Sequence, residues 1–195
     1  MHIREYIEKN YPEYYSIERY PKDRTAAFCS VDQPWGLFSN FGRTPLVVDG
    51  VPFDCTEKLF QVMKFTDDVS RKTIYYVKGQ TIKMKAKHCE KVGTVRSDWG
   101  EILVDAMKFC LMEKYRQSEA FREELERSRG LCIVEDQTTF QKKSPNTWGV
   151  KLSEDGNEFV GPNLMGRLLM ELRDNGKLDY KLPEDVLLFQ DLARE

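Results

Sequence analysis

Histidine is scarce in this chain: His2 and His88 are the only two among 195 residues. Five cysteines, Cys29, Cys55, Cys89, Cys110 and Cys132, are scattered without a C-x-x-C pair. That supply is too thin for a His-rich or Cys₂His₂ zinc site, and an odd, dispersed count fits poorly with a disulfide framework. A Ser-His-Asp arrangement is weakened for the same reason. No apolar run approaches the ~18 residues of a membrane span. The opening MHIREYIEKNYPEYYSIERY lacks the apolar core, about 7–15 residues long, of a secretory signal. These absences predict a cytoplasmic protein with reduced thiols, no metal, no cofactor and no membrane partner. Its chemistry must then rest on carboxylates, amines, amides and aromatic rings.

What is present is ordinary in total and uneven in distribution. The chain is 41% apolar, 12% aromatic and 32% charged, a globular composition, and its length predicts one domain over residues 1–195. The net charge of −2 conceals segment 71–96, which has eight Lys or Arg against one Glu. That local excess attracts phosphates, or else forms a solvated lysine-rich helix face. Tyr75 and Tyr76 within it could stack on bases or belong to the core.

Hydrophobic spacing predicts more helix than strand, with short strands and a hairpin. Residues 3–19 read as a helical lead-in broken near Pro12, and 26–31 as a short strand. Residues 46–53 read as a hairpin around Asp49-Gly50, after which Thr56 would cap a helix from Glu57 to about Phe65. Further helices are expected at 80–92, 98–115 and 118–129, and strands at 131–135 and 147–152. After Pro162, Asn163 would cap a last helix that stops at Gly176.

The informative stretch is TEKLFQVMKF, residues 56–65. At about 100° per residue, Glu57, Gln61 and Lys64 share one narrow sector of a helix otherwise apolar around most of its circumference. The pattern is either a solvent-facing stripe or a polar seam in a buried helix, and a buried seam needs a functional reason. Two neighbouring segments favour the seam. WGLFSNFGR (35–43) places Trp35, Ser39, Asn40 and Arg43 in an aromatic, glycine-containing loop of the kind that builds ligand pockets. TWGVK (147–151) adds Trp148 and Gly149, and Asn163 opens a helix, whose N-terminus favours phosphate oxygens.

At these residues the chain resembles the NADAR family, also called YbiA-like. The resemblance runs in order through FSNF (38–41), TEKLFQVMKF (56–65), RSDW (96–99), TWG (147–149) and NLMGRLLMELR (163–173). It implies a mostly helical α+β fold and hydrolysis of an N-glycosidic bond at ribose C1′. Members with that activity cleave either phosphoribosyl-aminopyrimidine intermediates of riboflavin biosynthesis or ADP-ribose attached to guanine in DNA. The second activity counters a DNA-modifying toxin. Two departures bear on substrate preference: many relatives have His where this chain has Lys58, and an Asp shortly before Trp-Gly where it reads Ser144-Pro145-Asn146.

Breaking a C1′–N bond builds positive charge on the sugar carbon, which a carboxylate stabilises. Glu57 is the candidate for that role and for managing protons. Lys64, flanked by Met63 and Phe65, is expected to be a desolvated amine able to attack C1′ and form a Schiff base that water resolves. Without that attack, Glu57 activates water directly. Asn40 and Gln61 would hold ribose hydroxyls, while Trp35 and Trp148 would stack on a base or wall the pocket. Arg43, Arg96 and the Asn163 helix terminus are the phosphate candidates. Arg167 and Arg173 are expected in surface ion pairs, and Gly149 and Gly166 at close approaches. The basic segment favours ADP-ribosylated DNA, in single-stranded form, as partner, with ADP-ribose as product. The other readings are the riboflavin intermediate as substrate and a non-catalytic module that binds ADP-ribose.

Overall fold

In this computed structural model, residues 3–192 are described; His2 lies outside them. In chain order the elements are α1 (Ile3–Asn10), β1 (Glu18–Pro21), β2 (Thr25–Phe28), β3 (Leu46–Val48), β4 (Val51–Phe53), α2 (Thr56–Met63) and α3 (Asp68–Tyr76). They continue with α4 (Thr81–Val92), α5 (Trp99–Gln117), α6 (Glu119–Arg127), β5 (Cys132–Glu135), β6 (Lys151–Leu152), β7 (Glu158–Gly161) and α7 (Leu164–Asn175). Helix outweighs strand, as periodicity predicts, and the fold is α+β, as the family resemblance implies. The chain forms two compact units, each built from sequence-distant segments. One runs to Ser39 and resumes over Ala120–Leu178; the other comprises Asn40–Glu119 and the residues from Asp179 on.

In the first unit, β7 lies between β1 and β6, antiparallel to both, and β2 pairs with β5 in parallel. Tyr20, Val134, Val150 and Phe159 form a core cluster there. Helix α7 packs on β5 so closely that a Cβ on Gly166 would lie 2.1 Å from the Ile133 carbonyl oxygen. Only glycine permits that approach. The segment expected to be one strand over 147–152 is a turn that ends in the two-residue β6, and the strand expected over 26–31 is β2, which stops at Phe28. Strand β1 escapes a local reading because it is short and finds its partner β7 about 140 positions away, Glu18 opposite Gly161.

In the second unit, the hairpin turns at Asp49 (φ 52°) and Gly50 (φ 74°), the left-handed pair that a two-residue turn requires. Leu46, Val48, Val51 and Phe53 face inward. Val47 sits opposite Pro52, which has no N–H to give. Next to the turn-closing pair Val48–Val51 this is the non-hydrogen-bonded pair, so the Val47 backbone faces away from β4 and the Gln117 side chain satisfies it: its Oε1 accepts from Val47 N at 2.8 Å and its Nε2 donates to Val47 O at 3.0 Å. Helix α2 is enclosed by α3, α4, α5 and β4. Thr56 is not its cap. Cys55 occupies that position without a side-chain hydrogen bond, and Thr56 is the first helical residue. Helix α3, unanticipated in a segment read by its charge, is capped by Asp67, whose Oδ1 accepts from Ser70 N at 2.8 Å.

Candidate active site

Glu57 lies in the first turn of α2 and is 3% exposed, so the polar seam is internal at this end. Its backbone N–H donates to Asn40 O at 2.8 Å, which fastens the 40–44 loop to the start of the helix. Gln61, one turn later, donates Nε2 to Glu57 Oε1 at 3.0 Å. The other oxygen, Oε2, has the Lys83 ammonium 4.0 Å away. Lys83 in turn lies 5.0 Å above the Phe41 ring. A buried carboxylate is costly without such company, and the positive end of a helix adds to its stabilisation.

The opposite end of the seam is a closed ion pair, Lys64 Nζ to Glu90 Oε1 at 2.5 Å. Lys64 is therefore not the isolated, desolvated amine expected among apolar neighbours; a carboxylate sits on it. Its backbone is pinned as well, because Arg96 N donates to Lys64 O at 3.0 Å and Phe65 bridges to Val95. Helices α2 and α4 thus run parallel with matched, reversed charges: Glu57 faces Lys83, and seven residues on in each helix Lys64 faces Glu90. The sequence carries this signal, since Lys83 and Glu90 repeat the spacing of Glu57 and Lys64 with inverted sign. Pooled into a basic segment, Lys83 is invisible.

In α2 and the loop fastened to it, three side-chain oxygens shielded from solvent find no hydrogen-bond partner in the structure: Asn40 Oδ1, Thr56 Oγ1 and Gln61 Oε1. An acceptor left open inside a protein costs about 1–3 kcal/mol, and the Gln61 oxygen, on the amide that holds Glu57, is open to a donor from a ligand. The remaining polar end of Asn40 is anchored, Nδ2 lying 3.5 Å from Met107 Sδ. Arg43, on the same loop, is exposed.

Arg96 is almost fully committed: its guanidinium holds Asp98 at 2.9 Å and Asp185 at 2.6 Å. A phosphate would have to displace carboxylates there. The hydrogen bonds that Arg96 donates to Asp98, opposed by desolvation, and to Asp185 hold its pKa above the ordinary value. Of the basic segment, Arg71 and Arg96 are tied internally, Arg71 donating to Leu188 O. Lys78, Lys83, Lys85, Lys87 and Lys91 have exposed side chains. Tyr75 packs edge-on against Phe53, and Tyr76 is 60% exposed with its hydroxyl on Leu192 O. Burial pushes the Cys55 and Cys110 thiols up in pKa, away from the reactive thiolate.

The other predicted residues belong to the first unit. Trp35 adopts a left-handed backbone (φ 64°), uncommon for a bulky side chain. Its ring stacks on Phe38 at 5.7 Å and has the Arg127 guanidinium 5.2 Å away. Ser39 ends that turn, its N–H on Gly36 O. Trp148 is half-buried, and its N–H donates to Asn146 Oδ1 at 2.9 Å. Gly149 abuts protein: a Cβ there would lie 2.4 Å from Glu135 O.

Asn163 holds the N-cap position of α7, as expected, but its side chain makes no capping bond and it does not open the helix to an anion. Its Nδ2 donates to Ile133 O at 2.9 Å and its Oδ1 accepts from Glu135 N at 3.3 Å, so the side chain buttresses β5. The N–H groups of Asn163, Leu164 and Met165 already donate to the carbonyls of Gly149, Thr147 and Trp148. The donors a phosphate would need are taken. Gly176, at φ 68°, does end the helix. Arg167 and Arg173 serve carbonyls as well as carboxylates. Arg167 donates to Glu13 O and Ser16 O, and Arg173 to Ser128 O and Leu131 O. Among the described residues no helix is long and apolar enough to cross a membrane.

Known proteins place this architecture. The chain is 28% identical over 158 residues to N-glycosidase YbiA of Escherichia coli K12, covering 81% of this chain and 92% of that protein. N-glycosidase Npun_R5314 of Nostoc punctiforme is 24% identical, with coverage of 77% and 91%. Riboflavin biosynthesis protein VVA0006 of Vibrio vulnificus is 23% identical over 182 residues, 92% of this chain but 46% of that longer protein. The NMR structure of E. coli YbiA superposes with a TM-score of 0.61, covering 78% of this chain and 84% of that one. The NADAR domain matches residues 27–175, a span that includes Glu57, Gln61 and Lys64 as well as Trp148 and Asn163, and the chain belongs to the NADAR family.

Proposed function

We propose that this protein is an N-glycosidase that hydrolyses a ribosyl C1′–N bond, and that its substrate is ADP-ribose carried on guanine in DNA. The observation that carries the reading is the buried Glu57, held at 3.0 Å by Gln61, whose own amide oxygen lacks a donor. A sugar is the ligand class that brings several O–H donors into a small space. A fixed carboxylate stabilises the positive charge that grows on C1′ as the base departs. The relatives named N-glycosidases supply independent support. The exposed lysines of α4 suit a polyanion, with the modified base displayed from a single strand.

In the proposed mechanism Glu57 takes a proton from water as it attacks C1′, and the electron pair of the C1′–N bond leaves on the base, which is then protonated. This water route is favoured over attack by Lys64, because the Lys64 ammonium is bound to Glu90 at 2.5 Å. In the Lys64 route, Glu90 would take the ammonium proton, the amine would displace the base, and ring opening would give a Schiff base for water to hydrolyse. Reduction with borohydride during turnover separates the two, since only a Schiff base leaves a sugar fixed to Lys64.

The riboflavin intermediate is the second substrate, favoured by the Vibrio vulnificus relative. Incubation with a guanine-ADP-ribosylated oligonucleotide beside the phosphoribosyl-aminopyrimidines, reading released ADP-ribose or ribose phosphate, decides between them. If neither is turned over but ADP-ribose binds, the site is a binding module.

A further inference from the structure

The Glu57–Lys83 pair stands open while its counterpart, Lys64–Glu90, is closed. At 4.0 Å, Lys83 Nζ and Glu57 Oε2 are too far apart for a direct charge-assisted hydrogen bond, which would measure about 2.7–2.9 Å. Glu57 is fixed by Gln61 and by its buried place in α2. Lys83 has 57% of its side chain exposed and rests on the Phe41 face. The arrangement is a fixed acceptor and a movable donor with a gap between them. A hydroxyl meets both demands at once, accepting from the ammonium and donating to the carboxylate. Phosphate, an acceptor only, would satisfy Lys83 but repel Glu57. Gln61, which holds the other Glu57 oxygen, keeps its own Oε1 without a donor.

We propose that Glu57 and Lys83 jointly hold one ring hydroxyl of the sugar, and that this site selects ribosyl over 2′-deoxyribosyl N-glycosides. The proposal rests on the N-glycosidase reading and narrows it: the enzyme would remove a ribosyl modification and spare the deoxyribosyl bonds of the nucleic acid that carries it. Sites built to bond a substrate hydroxyl reject the analogue lacking it strongly, because buried polar groups then go unpaired.

The test is a matched pair of N-glycosides differing only at the 2′ position, assayed with the wild-type protein and with Lys83→Met and Lys83→Arg. The 2′-deoxy compound should lose about 10³-fold in kcat/KM. Lys83→Met should slow the ribosyl substrate about tenfold while leaving the deoxy compound nearly unchanged, and Lys83→Arg should restore most of the loss. Comparable rates on both compounds would overturn the proposal, as would a Lys83→Met effect equal on the two. If neither compound is turned over, the N-glycosidase reading fails separately. Calorimetry with ribose 5-phosphate and 2-deoxyribose 5-phosphate then decides the sugar site: binding of the first alone upholds it, and equal binding or none overturns it.

Discussion

Gln61 donates its side-chain N–H to Glu57 across one turn of α2, at 3.0 Å, and keeps its own oxygen free. The amide therefore orients the carboxylate while offering an acceptor to a ligand. Gln61→Leu removes both functions without removing the carboxylate. We expect kcat to fall about tenfold and KM to rise, consistent with the loss of one or two hydrogen bonds. Steady-state kinetics on the preferred N-glycoside checks this, and unchanged parameters would separate Gln61 from the site.

Lys64 and Glu90 form a partly exposed pair, with side-chain exposures of 18% and 42%. Lys64→Met should cost about 0.5–1 kcal/mol in urea unfolding and leave measurable turnover. Borohydride added during turnover should give no sugar adduct on Lys64. An adduct mapped to Lys64 by peptide mass spectrometry would replace the water route with the Schiff-base route.

Asp67 joins two segments: its Oδ1 caps α3 at Ser70 N and its Oδ2 accepts from Thr94 N at 2.7 Å. Burial alone would raise its pKa, but these backbone donors outweigh it and hold the carboxyl below its ordinary 3.8. A carboxyl lowered on folding contributes stability above its unfolded pKa and loses it as pH falls through the folded value. Asp67→Ala should therefore be about 1 kcal/mol less stable at pH 7, and the gap to wild type should narrow below pH 3.8. A gap constant with pH would mean that Asp67 acts through packing.

What could be read in the chain divides by distance. The Asp49-Gly50 turn, the α2 seam and the Gly176 stop depend on neighbours a few residues away, and each appears where its pattern predicts. Asn163 shows the limit. Its place before an apolar helix is that of a cap, yet its side chain crosses to Ile133 and Glu135, partners about 30 positions earlier. Glu57 was legible because its own helix is apolar all round. Lys83 was not, because its meaning comes from α2, which only tertiary packing brings alongside.

Besides Lys83, the exposed lysines at 85, 87 and 91 lie on α4. If they track a DNA strand, activity on a modified single-stranded oligonucleotide should fall steeply with salt. Replacing Lys85 and Lys91 by Ala should reduce the slope of log activity against log salt by roughly 1–2 when substrate is below saturation. A salt-insensitive rate would point instead to the small phosphoribosyl substrate.

Glu57 carries the proposed chemistry, and the most direct measurement compares the wild-type protein with Glu57→Gln on a guanine-ADP-ribosylated oligonucleotide, quantifying free ADP-ribose. Removing the carboxylate while keeping its shape should slow release by about 10²–10⁴-fold, with circular dichroism and urea midpoint confirming an intact fold. Release by Glu57→Gln at the wild-type rate would contradict the account.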